Sequence, residues 1–184
     1  ANTKKELAEN LRAFADGEKR TGMNQSVVSS DMLSGPVFVY SGMGQQWWAM
    51  GRKFMETEEV FRNAIEECGH LLKAHTTEWS LCEEMGRSEE DSRINDTAIA
   101  QPAIFALQVG LTRLWKSRGI EPAVIVGHSV GEAAAGWACG ALSLEDGIKV
   151  IYHRSRLQKT TAGTGKMLAV GLSETDATQL LEIY

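Results

Sequence analysis

The chain has 184 residues, 43% of them hydrophobic and 23% charged, with a formal net charge of −5, which is ordinary globular usage and long enough to bury one sizeable core. The acidic balance and scattered basic residues argue against a nucleic-acid partner, which needs a clustered basic surface. No apolar run reaches the roughly 20 residues of a membrane-spanning helix, and the opening ANTKKELAEN lacks the apolar core and cleavage site of a secretory leader.

Three cysteines, Cys68, Cys82 and Cys139, stand at unpatterned spacings with no CxxC and no histidine at metal-ligand distance. They read as small hydrophobes in a reducing, cytoplasmic setting, with no metal site and no membrane association expected.

In chain order, Leu7, Leu11 and Phe14 fall at helical spacing, with Gly17 as a stop. The polar stretch EKRTGMNQSVVSSDMLSG reads as a linker. PVFVYSGMG is a short β-branched and aromatic run broken by glycines, which predicts a buried strand entering a tight loop. From QQWWAMG onward the apolar spacing is helical, interrupted near Thr57 and stopped near His70; the acidic EEMGRSEEDSRIND reads as a hydrophilic patch. AIAQPAIFALQVGLTRLWKSRGI predicts a long helix ending at Gly119, and AVIV after Pro122 a strand of the kind buried in a parallel sheet. Ser129 to Cys139 predicts a small-residue helix, SLEDGIKVIYHRSRLQ a helix opened by a Ser143–Asp146 capping box, GKMLAVGLS a strand, and SETDATQLLEIY a helix starting at Ser173 or Thr175. Alternating strands and helices predict an α/β fold with a parallel sheet.

Gly127-His128-Ser129-Val130-Gly131 fits G-x-S-x-G between an apolar strand and a helix of small residues, the context in which a serine sits on a sharp, strained turn as a nucleophile. The N–H of Val130, at the helix start, points where an oxyanion would form. A second donor is expected from the glycine loop Ser41-Gly42-Met43-Gly44, whose glycines permit close backbone approach.

SGMGQQWWAMG and GHSVGE, with QPAIFALQ between them, resemble the acyltransferase domain of type I polyketide synthases and the malonyl/acetyl transferase of animal fatty acid synthase, cousins of the malonyl-CoA:acyl carrier protein transacylases. The resemblance implies a hydrolase-like acyltransferase core, with Ser129 catalytic and the N–H groups of Met43 and Val130 forming the oxyanion hole. Met43 stands where many members have glutamine. The resemblance further implies that Arg154 binds a substrate carboxylate, for which a guanidinium fork is suited; Arg156 is a nearby competitor. It assigns Gln101 and His128 to the acyl pocket. The segment Asp96 to Gln101, with Ile99 in place of the usual aromatic, and Val130, where methylmalonyl-specific members carry glutamine, both favour malonyl. Implied partners are malonyl-CoA as a thioester substrate, an acyl carrier protein and neighbouring synthase domains such as a ketosynthase, with no tightly bound cofactor.

A serine hydroxyl needs a base. Of the four histidines, His70 and His75 read as solvent-facing, His128 is too close in sequence to Ser129 to turn back on it, and His153 projects about 100° away from Arg154 on a helix. In the resembling family the catalytic histidine follows a small ferredoxin-like subdomain. The expectation is therefore the first part of an acyltransferase: residues 1–35 as the end of a ketosynthase–acyltransferase linker, 36–162 as the N-terminal part of the α/β core, and 163–184 as the start of the ferredoxin-like subdomain, with the histidine outside this chain. A serine hydrolase of esterase or patatin-like type, and a non-catalytic module, are the competing readings.

Overall fold

VFVY is a strand because its β-branched and aromatic side chains suit a pleated, half-buried surface, and in the computed structural model it forms β1, Val37–Tyr40. The structure describes residues 3–21, 23, 35–165 and 170–182. Residues 1–34 and 35–184 form two compact units. The first holds α1, Lys4–Ala15, whose N-cap Thr3 accepts from the Glu6 N–H.

In the second unit β1 pairs in parallel with β2, Val124–Gly127, in the register Val37↔Val124 through Tyr40↔Gly127. Among the described residues this is a two-stranded sheet. The predicted α/β architecture with a parallel sheet is present, the sheet being small and the helices many. Between the strands run α2 (Arg52–Thr57), α3 (Glu59–Leu72), α4 (Leu81–Gly86) and α5 (Thr97–Ser117); α6 (Gly131–Ala138), α7 (Leu144–Thr160) and α8 (Glu174–Leu181) follow.

The core is built around α5, which packs against α3, α4, α6 and α7. Ile99, Phe105 and Val109 of α5 are buried with Phe61, Ile65 and Leu72 of α3 and Ile148 and Ile151 of α7, each contributing about 1.5–3 kcal/mol by leaving water. Asp96 caps α5 by accepting from the Ala98 N–H at 3.0 Å, and Ser143 caps α7 by accepting from Asp146 N–H at 3.0 Å, as the capping-box spacing predicts.

Three sequence expectations need correction. Gln45 to Trp47 are not helical, and helix begins only at Arg52, after a turn in which Gly51 has φ of 79°. The acidic patch after Leu81 begins as a helix, α4, and its Glu84 is buried. That burial is tolerated because Arg87 and Arg93 both donate to the Glu84 carboxylate; desolvation pushes its pKa up, but the two guanidinium groups outweigh it and hold the carboxyl below the usual range. His75 is only partly exposed: its ring stacks on Tyr152 with centroids 5.4 Å apart and meets His153 edge-on. The strand predicted in GKMLAVGLS falls mainly on 166–169, outside the described residues.

Candidate active site

Parallel pairing carries both strands in the same direction, and the level register of Tyr40 with Gly127 brings the segments leaving them side by side, where α/β sheets form their sites. After β2 the chain turns through His128 and Ser129 into α6. Ser129 has φ of 55°, and it is the one non-glycine residue with positive φ among the described residues. That left-handed backbone costs an L-residue of order 1–2 kcal/mol, and it is held because the turn is wedged against β1: His128 N–H donates to the Tyr40 carbonyl at 3.0 Å. A Cβ at Gly131 would lie 2.0 Å from that same Tyr40 oxygen. The second glycine of G-x-S-x-G is therefore required by contact with the neighbouring strand.

The glycine loop after β1 lies over the turn. A Cβ on Gly42 would be 3.2 Å from Ser129 Cβ and 3.2 Å from His128 Nδ1. The backbone N–H groups of Met43 and Val130, the two expected oxyanion donors, have no hydrogen-bond partner among the described residues. Val130 itself is buried, its side chain anchoring the start of α6 in the core. The loop is braced behind: Gly44 N–H donates to Gln46 Oε1 at 2.7 Å, and Arg52 lies 4.5 Å from the centre of the Trp48 ring while donating to the Arg87 carbonyl.

Helix α7 brings Arg154 to the serine. Arg154 Nη2 donates to Ser129 Oγ at 3.0 Å. Its Nη1 donates to Oε1 of Gln101 and, at 3.3 Å, to Oε1 of Gln158. Gln101, fully buried near the start of α5, donates from Nε2 to Gln158 Oε1 at 2.7 Å. The two glutamines thus occupy Nη1, and the Nη2–Nε edge, the side-on fork that matches a carboxylate, carries only the contact to Ser129. Arg156, the sequence competitor, is exposed and makes no contact here. The ends of α5 and α7 are tied by Lys159 Nζ, which donates to Asp96 Oδ2 at 2.6 Å.

The structure therefore brings together Ser129, Val130, the Gly42–Met43 loop, Gln101 and Arg154. His128 flanks the serine but is exposed, with its backbone rather than its ring engaged. None of the four histidines hydrogen-bonds Ser129; the contact to Oγ comes from Arg154. Gln158 was not singled out from sequence, although its i+4 spacing from Arg154 on a predicted helix was a readable signal. Among the described residues no cluster of three or more His, Cys, Asp or Glu could hold a metal, and no helix is long and apolar enough to cross a membrane.

Comparison with known proteins agrees with this geometry. Residues 37–182 match the family model described as acyl transferase domain. The chain is 44% identical over 166 residues to a mycocerosic acid synthase-like polyketide synthase of Mycolicibacterium smegmatis, covering 90% of this chain and 8% of that protein. Its fold is similar to the acyltransferase domain of the polyketide synthase PpsC of Mycobacterium tuberculosis (TM-score 0.71, 34% identity, 95% of this chain and 50% of that one). It is also similar to the acyltransferase domain from module 8 of the salinomycin polyketide synthase (TM-score 0.74, 30% identity, 100% and 43%). The chain thus spans less than a tenth of that synthase and half or less of these solved domains. A strained serine between two parallel strand ends, the loop pressed on it and a match over most of the sequence lead to one conclusion: the chain belongs to the acyl transferase domain family.

Proposed function

We propose that this chain supplies the nucleophile, oxyanion donors and carboxylate clamp of an acyltransferase that moves a malonyl-type unit from coenzyme A to an acyl carrier protein within a polyketide or fatty acid synthase. Ser129 Oγ attacks the thioester carbonyl, its proton passes to a base, and the coenzyme A thiolate leaves, so that the acyl group rests on the serine as an ester. The N–H groups of Met43 and Val130 meet the oxyanion of the tetrahedral intermediate, where preorganised donors are worth most. The pantetheine thiol of the carrier then attacks the ester, and Ser129 recovers its proton. The base is not among the described groups that hydrogen-bond Ser129, where the contact to Oγ comes from Arg154. The sequence needs no metal or bound cofactor, and a ketosynthase and carrier domain are the expected neighbours.

The observation that carries this reading is the contact of Arg154 Nη2 with Ser129 Oγ. A malonyl thioester places its carboxylate beside the reacting carbonyl, so a guanidinium at the nucleophile, with its Nη2–Nε edge clear, favours an acyl group with a free carboxylate over acetyl. A simple esterase has no use for a cation there. Intact-mass spectrometry of the chain with malonyl-CoA, beside Ser129→Ala and Arg154→Ala, tests it: an adduct lost in the first and weakened in the second supports the proposal. Free acid released from simple esters, with no preference for carrier thiols, defeats it.

A further inference from the structure

We infer that Gln108, on α5 and outside the acyl pocket, is a positioning residue for the loop that carries the oxyanion donor Met43. Gln108 Nε2 donates to the Ser41 carbonyl at 2.8 Å. A carbonyl only accepts, so the amide orientation is set: nitrogen toward the loop, Oε1 away from it. That Oε1 is buried with no hydrogen-bond partner among the described residues. Gln108 lines an open cleft of about 260 Å³ between α5 and the loop, together with Gln45, Gln46, Met50, Ile104, Leu107 and Leu111.

An unpaired buried acceptor opposes folding, and a leucine or methionine at this position would fill the same space without one. What only the amide supplies is the bond to Ser41. In a planar trans peptide the N–H points opposite the C=O, so drawing the Ser41 carbonyl to α5 fixes the plane of the Ser41–Gly42 peptide. Gly42 is the residue pressed on Ser129, with its Cβ position 3.2 Å from the serine Cβ. The following peptide carries the Met43 N–H. Gln108 therefore sets the donor's direction through two consecutive peptide planes without touching substrate.

The link to catalysis rests on the acyl-transfer reading; the link to the loop does not. The test is backbone ¹⁵N relaxation of the full chain, wild type beside Gln108→Met, which keeps length and bulk but donates nothing, and Gln108→Glu, which sets a second acceptor against the Ser41 carbonyl. The proposal expects residues 41–44 to have order parameters near 0.85 in the wild type, falling below about 0.6 in both variants while α5 stays rigid. It also expects acylation of Ser129 by malonyl-CoA to slow on the order of tenfold to a hundredfold at unchanged half-saturation, somewhat less than the loss of an oxyanion donor itself. The proposal is overturned by a loop already mobile in the wild type, by a loop equally rigid in Gln108→Met, or by α5 loosening together with the loop, which would mark Gln108 as packing alone. If the wild type takes no acyl group, the rate comparison falls away, because no base hydrogen-bonds Ser129 among the described residues, and the order parameters alone decide the role of Gln108.

Discussion

Arg154 and Ser129, 25 positions apart on α7 and the β2–α6 turn, meet through a single 3.0 Å hydrogen bond from Nη2 to Oγ. The hydroxyl is an acceptor in this contact, so its own proton remains free to be taken by a base. On the proposed reading, a substrate carboxylate at the Nη2–Nε edge would compete for the same donor and release Oγ for attack.

Arg154→Ala should therefore slow loading from malonyl-CoA by about 10- to 150-fold, the value of a charge-assisted hydrogen bond, while acetyl-CoA changes little. Arg154→Lys should recover only part of the loss, because a point charge cannot bind the carboxylate through two parallel bonds. The check is the ratio of malonyl to acetyl adduct on Ser129 in competition.

Gln158→Leu removes the acceptor shared by Gln101 Nε2 and Arg154 Nη1. Gln101 is fully buried, so its amide is left with an unpaired donor, and stability should fall by about 1–3 kcal/mol. A thermal melt reads that loss. The malonyl preference should weaken as well, since Arg154 then keeps only Gln101 at Nη1.

Ser129→Gly should abolish acylation and raise the melting midpoint, because glycine adopts a φ of 55° without the roughly 1–2 kcal/mol that serine incurs. Ser129→Ala should abolish acylation with no such gain. Equal midpoints for the two variants would show that the turn stores no strain.

Asp96 makes a pH-dependent contribution. Burial raises its pKa, but bonds from Lys159 and the Ala98 N–H outweigh that, so the folded value lies below the ordinary one. A depressed carboxyl stabilises the fold fully above its unfolded pKa of about 3.9, and the contribution is lost as pH falls through the lower folded pKa. Asp96→Asn should thus destabilise the chain at pH 7, with the gap from wild type closing below pH of about 4. Denaturant midpoints across that range measure it.

The elbow was legible in sequence because every local requirement agreed there: an apolar strand, glycines flanking a serine and a small-residue helix. The structure adds the reason for Gly131, whose neighbour is the Tyr40 carbonyl of a strand 91 residues earlier, a contact no local pattern encodes. α4 was hidden because Glu83, Arg87, Glu89, Glu90 and Arg93 around Glu84 look like a solvated surface until Arg87 and Arg93 are seen converging on one buried carboxylate. The helical spacing of QQWWAMG misled because Gly51 adopts a φ of 79°, outside the helical region, so that helix begins only at Arg52. The proton acceptor for Ser129 could only be excluded, histidine by histidine.

The register that aligns Tyr40 with Gly127 also aligns Val37 with Val124 and Val39 with Val126 on one face of the sheet. Val37, Val39 and Val126 are 52%, 70% and 46% exposed, whereas parallel strands ordinarily have both faces covered. Among the described residues the two-stranded sheet combines an exposed apolar face with unpaired backbone edges, a template for adding strands from another copy. Colloidal behaviour should thus limit the chain at high concentration well before unfolding does. A lysine at Val39 should raise its solubility while leaving the elbow intact.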